Sequence, residues 1–332
     1  MGSQKFKALF ALVTILTVTA ALPADPSEAP TAQRWRCNAA IGVRRGQCIV
    51  SAKIASRAFT VRIRIGYELS YQCPQPVPMI LMLHVHPTRT PDLLQLDDIL
   101  TDPPVALSSY RDGFGNRCTR LIAPPGRITL KADAVISDSG TPEATMAEAP
   151  QLQVESLPDA ILSYLLGSRY CDTDHLSEMA WAHFGHTRPG WERVQAICDF
   201  VHRHIAFRYD AARATMTASE AFHERCGVCR DYAHLAISLC RCLNIPARYC
   251  SGYLGDIGVP RVDLPMDFSA WFEAYLGGHW HTFDARHNIP RIGRILIARG
   301  RDAADVAIST TFGPCSLTGF RVWSDELPAA RA

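Results

Sequence analysis

The residues best suited to do chemistry in this 332-residue chain cluster in residues 224–253, ERCGVCRDYAHLAISLCRCLNIPARYCSGY, where a Gly-x-Cys turn opens an apolar segment of helical length. Tyr232, Leu235, Ala236, Leu239, Cys240 and Leu243 recur at three- and four-residue spacing, which predicts a helix with one buried stripe. Cys229 then stands at the helix start. There the unpaired backbone N–H groups and the positive end of the macrodipole favour thiolate, the nucleophilic form, over thiol. Cys226 forms a Cys-x-x-Cys pair with it, the pattern of a dithiol oxidoreductase, but such a pair normally follows a strand, and the polar residues 219–225 precede this one. Cys240 and Cys242 point about 200° apart on a helix, which disfavours a shared zinc ion. His84 and His86 share one face of a predicted strand, and without carboxylate or cysteine partners nearby they read as solvated or hydrogen-bonded side chains rather than metal ligands.

A second group of reactive side chains lies downstream. Residues 268–276 and 279–286 are β-rich runs joined by Gly277-Gly278, which predicts a two-residue hairpin loop. That loop pairs Leu276 with His279, and counting back sets Glu273 opposite Thr282, Trp271 opposite Asp284 and Ser269 opposite Arg286. Alternation places Ser269, Trp271 and Asp284 on one face and His279 and His281 on the other. His281 serves as a base for Cys229 only if a bulge re-aims it. By the same parity His287 falls on the wrong face, and His234 lies about 140° round the helix from Cys229.

The order Gly227-Val228-Cys229-Arg230-Asp231-Tyr232-Ala233, a helix, Ile245-Pro246-Ala247-Arg248 and Gly252-Tyr253 resembles the core of the transglutaminase-like superfamily. Ala270-Trp271-Phe272-Glu273-Ala274-Tyr275-Leu276 and Trp280-His281-Thr282-Phe283-Asp284 extend the resemblance, which covers residues 156–305. It implies an α+β, papain-like fold in which the helix carrying the cysteine packs on an antiparallel sheet. It also implies that Cys229 attacks an amide carbonyl, that a histidine acts as base and that Asp284 orients the histidine. The reaction would be acyl transfer or hydrolysis through a thioester, with no metal and no organic cofactor, on a peptide, a protein or a γ-glutamyl amide. The family reads His-Ala-Trp where this chain reads Ser269-Ala270-Trp271, and a serine hydroxyl is no base near neutral pH. The candidate catalytic residues are therefore Cys229, Ser269 and Asp284, with His281 as surrogate base. The alternative reading is a catalytically impaired module that binds peptides or proteins.

Composition bounds the remainder. A net charge of +2, with 48% hydrophobic and 20% charged residues, describes a globular protein and does not point to nucleic acid. Residues 1–24 carry Lys5 and Lys7 ahead of an apolar run, the layout of a secretory signal peptide, and the run is too short for a stable membrane span. A periplasmic or secreted protein follows from a genuine leader, and a cytoplasmic one from a native start near Val61. Residues 25–60 lack an apolar period and read as a poorly ordered linker. Period-two runs in residues 61–138 predict an all-β sandwich domain, which resembles the β-domain preceding the core in bacterial transglutaminase-like proteins. Residues 139–155 read as a linker, and residues 156–332 as the core with a C-terminal extension. Within the core, Ser156-x-x-Asp159 is expected to cap a helix through Leu166, and residues 189–205 to form another in which His202 and His204 are solvated.

Overall fold

The computed structural model describes residues 15–17, 60–262 and 265–328. Apart from Ile15–Thr17, the expected leader and the linker up to residue 59 lie outside the described residues. The strand-rich N-terminal region holds two sheets. One runs β1 (Ile15–Thr17), β15 (Ser309–Thr311), β3 (Val77–Leu81), β7 (Arg117–Ala123), β6 (Ser108–Arg111). The other runs β16 (Ser316–Leu327), β2 (Val61–Cys73), β8 (Gly126–Asp138), β4 (Leu93–Gln95), with β5 (Leu100–Asp102) also paired to β8. The alternation of β2 buries Ile63, Ile65, Tyr67 and Leu69, as its period-two pattern requires. Residues after 308 return to this region: β15 pairs with β3 and β16 with β2, and the Cys73–Cys315 disulfide ties the end of β2 to the segment entering β16.

The remainder is mixed α+β, as expected. Strands β13 (His279–Phe283), β12 (Ser269–Leu276), β11 (Ala247–Leu254) and β14 (Arg294–Gly300) form an antiparallel sheet in that order. The helices are α1 (Asp159–Leu162), α2 (Ser177–Phe184), α3 (Trp191–His204), α4 (Ala218–Glu224) and α5 (Cys229–Cys242). A short parallel pair, β9 (Ala206–Phe207) and β10 (Cys226–Gly227), leads into α5. The helix expected from Ser156 through Leu166 is reduced to a 3-10 turn and the single turn α1, because Pro158, not Ser156, stands at the N-cap and offers no capping side chain.

The stripe expected on α5 understates its burial: every residue from Cys229 to Cys242 is buried. The sheet covers one side through β12 and β11, and α2, α3 and α4 cover the other. Most of its polar side-chain atoms are therefore paired internally, Arg230 Nη1 and His234 Nδ1 excepted. Arg241 donates to the carbonyls of Ala247, Leu166 and Arg301, Ser238 to that of His234, and His234 Nε2 accepts from the Ala303 N–H at 3.2 Å. Such pairing is what makes a wholly buried helix with charged residues tolerable.

The hairpin forms in the predicted register, with Leu276 opposite His279 and Glu273 opposite Thr282, and Gly277 and Gly278 both adopt positive φ (56° and 87°) as a two-residue turn requires. The ladder ends at Phe272–Phe283, so Asp284 and Arg286 lie in the turn beyond it rather than paired to Trp271 and Ser269. At the other entrance to the site, a Cβ on Gly227 would stand 2.7 Å from the Cβ and Oδ2 of Asp231. Asp231 is locked in place, so Gly227→Ala is expected to destabilise the fold by about 1–3 kcal/mol through overpacking. Urea unfolding checks this; an unchanged midpoint would mean the turn relaxes freely.

Candidate active site

Cys229 is the first residue of α5, after Val228 in extended conformation (φ −118°, ψ 178°). Asp231 Oδ2 accepts the Val228 N–H at 2.8 Å, satisfying one donor at the helix start. Arg230 is fully buried: it pairs with Asp231 at 3.2 Å, donates to the Arg213 carbonyl and lies 5.8 Å from the Tyr170 ring. This network holds the thiol at a rigid position.

Burial opposes the thiolate that the helix start favours. Cys229 is 2% exposed, and burial pushes its thiol up to about 12, against the pull of the Arg286 guanidinium and a backbone hydrogen bond from Ala270. Desolvation of the anion outweighs the helix start, so the resting form is the neutral thiol and attack requires a proton acceptor. Asp267 stands close by. Its Oδ2 is buried without a partner, and burial raises its carboxyl well above the usual carboxylate range.

Asp284 follows β13 directly. Its Oδ1 accepts the backbone N–H groups of Arg286 (3.0 Å) and His287 (3.1 Å), and its Oδ2 accepts His287 Nδ1 (2.8 Å) and the Arg294 guanidinium (3.1 Å). Burial alone would raise Asp284, but Arg294 and the His287 hydrogen bond hold its carboxyl well below the usual range. The loop is pinned to α3. His202 Nδ1 donates to the Arg286 carbonyl at 2.9 Å, while Asn288, at φ 53°, donates to Asp199 at 2.7 Å and accepts from Gln195 at 2.9 Å. His202, expected to be solvated, is thus an anchor for this loop. From the segment read as a linker, Glu143 accepts from the Arg291 N–H at 2.7 Å and from the Arg294 guanidinium, which also stacks 4.8 Å over Trp271.

Ser269 begins β12 opposite Gly252 and lines a cavity of about 510 Å³ together with Tyr209, Asp267, Arg286 and His287. Among the described residues Asp284 takes no hydrogen bond from Ser269. His281 is not brought to this cavity. The register keeps it opposite Ala274 without a bulge, its Nε2 donates to the Leu276 carbonyl at 3.2 Å, and its ring meets Trp191 edge-on at 5.6 Å. His287 escapes the parity argument because it lies in a turn, where alternation does not apply. Sequence reasoning missed Asp267, Arg294 and Glu143; nothing in their local spacing signals that they meet Cys229 or Asp284. Cys240 sits in the core, and Cys242 directs its sulfur to the Thr173 carbonyl at 3.4 Å, so the two point apart. Cys226 is a free, partly exposed thiol on β10.

The ionised state of Asp284 makes a pH prediction. Its folded carboxyl titrates below the unfolded value of about 3.9, so its contribution to stability is complete above that pH and is lost as the pH falls from there toward the folded value. Between about pH 5 and pH 3 the melting temperature of the native protein should therefore fall more steeply than that of Asp284→Asn. Parallel curves would show that Asp284 carries no such ion pairing.

A model of the Transglutaminase-like superfamily matches residues 181–285, the stretch that contains α5 and the β12–β13 hairpin. A solved structure described as "a Putative Cysteine Protease from Cytophaga hutchinsonii" is 32% identical, covers 82% of this chain and 93% of its own, and superposes with a TM-score of 0.70. An uncharacterized protein of Mycobacterium tuberculosis is 28% identical over 225 residues, 62% of this chain and 72% of that protein. One of Mycobacterium leprae is 24% identical over 230 residues, 66% of this chain and 81% of that protein.

Proposed function

The chain belongs to the transglutaminase-like superfamily, and from that membership we propose that it transfers or hydrolyses acyl groups of peptide or protein amides through a thioester on Cys229. The observation that carries this reading is the buried Cys229 thiol at the start of α5, under the influence of Arg286 and Asp267, two residues that line the cavity of about 510 Å³. A thiol attached to a rigid helix can approach an acyl carbon without reorganising its support. The backbone N–H groups and positive dipole end of a helix start are suited to stabilise the developing oxyanion. Arg261, Arg321, Asp256 and Glu326 all line the cavity, a mixed polar lining that suits an extended peptide better than an apolar ligand.

The test is to incubate the full chain with glutamine-bearing peptides, with and without a primary amine, quench in acid and map the adduct. A peptidyl thioester on Cys229, with ammonia released, is the expected result; amine-dependent product distinguishes transfer from hydrolysis. Absence of adduct and of product across the peptide set sinks the reading. A second reading is supported by Ser269 and the raised thiol: a cleft that binds peptide without turnover. Calorimetric binding with no product would favour it.

A further inference from the structure

The geometry points to His287, held by Asp284, as the catalytic base of this site, standing in for the imidazole that position 269 does not supply; this inference rests on the acyl-transfer reading above. The ionised Asp284 accepts His287 Nδ1 at 2.8 Å, which sets the tautomer: Nδ1 carries the proton and Nε2 keeps its lone pair. The His287 side chain is 25% exposed while that of Asp284 is 4% exposed, so the ring leads from a buried anchor to the cavity it lines with Ser269. Nε2 has no hydrogen-bond partner among the described residues.

Cys229 is tied to the same cavity wall: Arg286, which precedes His287 and lines the cavity with it, is the guanidinium whose charge acts on the thiol, and α5, which Cys229 opens, packs on β12, the strand that Ser269 begins. The loop bearing His287 is braced by His202, Asn288 and the Asp284 carboxylate, so the imidazole is presented from a fixed frame. The other nearby candidates are spent or unfit. His281 is bonded to Leu276, His202 to Arg286, and His234 is stacked 5.1 Å from Tyr170 inside the core. Asp267 Oδ1 accepts the Phe268 N–H and its Oδ2 is buried without a partner, so no hydrogen bond orients it as a base.

The step balances within the site. His287 Nε2 takes the Cys229 S–H proton as sulfur attacks the amide carbonyl carbon and the C=O electron pair moves to oxygen. The imidazolium then returns that proton to the amide nitrogen as the C–N bond breaks, leaving a thioester on Cys229 and a free amine or ammonia. Water or a second amine attacks the thioester, gives its proton to Nε2, and the departing sulfur recovers it.

The experiment uses the full chain and p-nitrophenyl acetate as probe, following p-nitrophenolate release and the acetyl adduct at Cys229, with Cys229→Ala as the blank throughout. His287→Ala is expected to slow acetylation by about 10²- to 10⁴-fold, the range general-base assistance supplies. Added imidazole should restore part of the rate above the blank, and Ser269→His in the His287→Ala background should restore it by setting a ring on Asp284 from the neighbouring position. His287→Gln keeps an N–H for Asp284 but offers no proton acceptor, so it should remain slow. Recovery in His287→Gln without response to imidazole or to Ser269→His would overturn the proposal in favour of a structural role. Wild-type acetylation rates in folded His287→Ala would also overturn it while leaving the acyl-transfer reading intact. No acetyl adduct at Cys229 in the native protein would remove the reading and the proposal together.

Discussion

Cys229→Ala is expected to abolish covalent acylation and reduce peptide turnover to background, a loss on the order of 10⁴-fold or more, because no other group forms the thioester. The substitution removes one buried sulfur from a residue with a Cβ already in place, so stability should change by only about 1 kcal/mol. The fold should survive for a clean comparison. Cys226 is the nearest thiol in sequence and is partly exposed, so it serves as internal control: Cys226→Ala should retain activity. If Cys226→Ala loses as much as Cys229→Ala, and loss tracks the redox state, a dithiol reaction replaces acyl transfer. If Cys229→Ala retains turnover, the nucleophile is misassigned.

Asp284→Asn is expected to cost about 10²- to 10⁴-fold in acylation, with the larger values following if the tautomer inverts. An asparagine amide can donate to His287 Nδ1, which would leave the proton on Nε2, where a base is needed. The change also removes one of the two carboxylates that face the buried Arg294; Glu143 remains, so the loss of stability should reach at most about 3 kcal/mol. Rates are therefore to be measured well below the melting temperature of the variant. Equal rates for Asp284→Asn and the native chain would mean that Asp284 serves packing and charge balance only. A loss confined to KM would place it in substrate binding.

The hairpin was legible because its cause is local: two glycines at positive φ permit the tight turn, and counting from that turn puts Glu273 opposite Thr282. The same count failed past Phe283, where pairing stops and Asp284 turns back to bind the N–H groups of Arg286 and His287. Parity set His287 on the face away from Ser269, yet the two line one cavity, whereas His281 keeps its predicted place opposite Ala274. The helix from Cys229 was legible from its spacing, but not its full burial, since the elements that cover its polar side are contributed from residues 177–224 and the sheet.

Sequence by itself determined the α+β class, the place of Cys229 at a helix start, the β12–β13 hairpin and the resemblance that singles out position 269, because each depends on residues close along the chain. Tertiary structure alone decided the burial of Cys229, which pushes its thiol up to about 12. It alone joined Asp284 to Arg294, Arg294 to Glu143 and β16 to β2. The physical reason is that desolvation sums over everything packed around a group, and ion pairs form between whichever charges packing brings together. Neither quantity is carried by spacing along the chain.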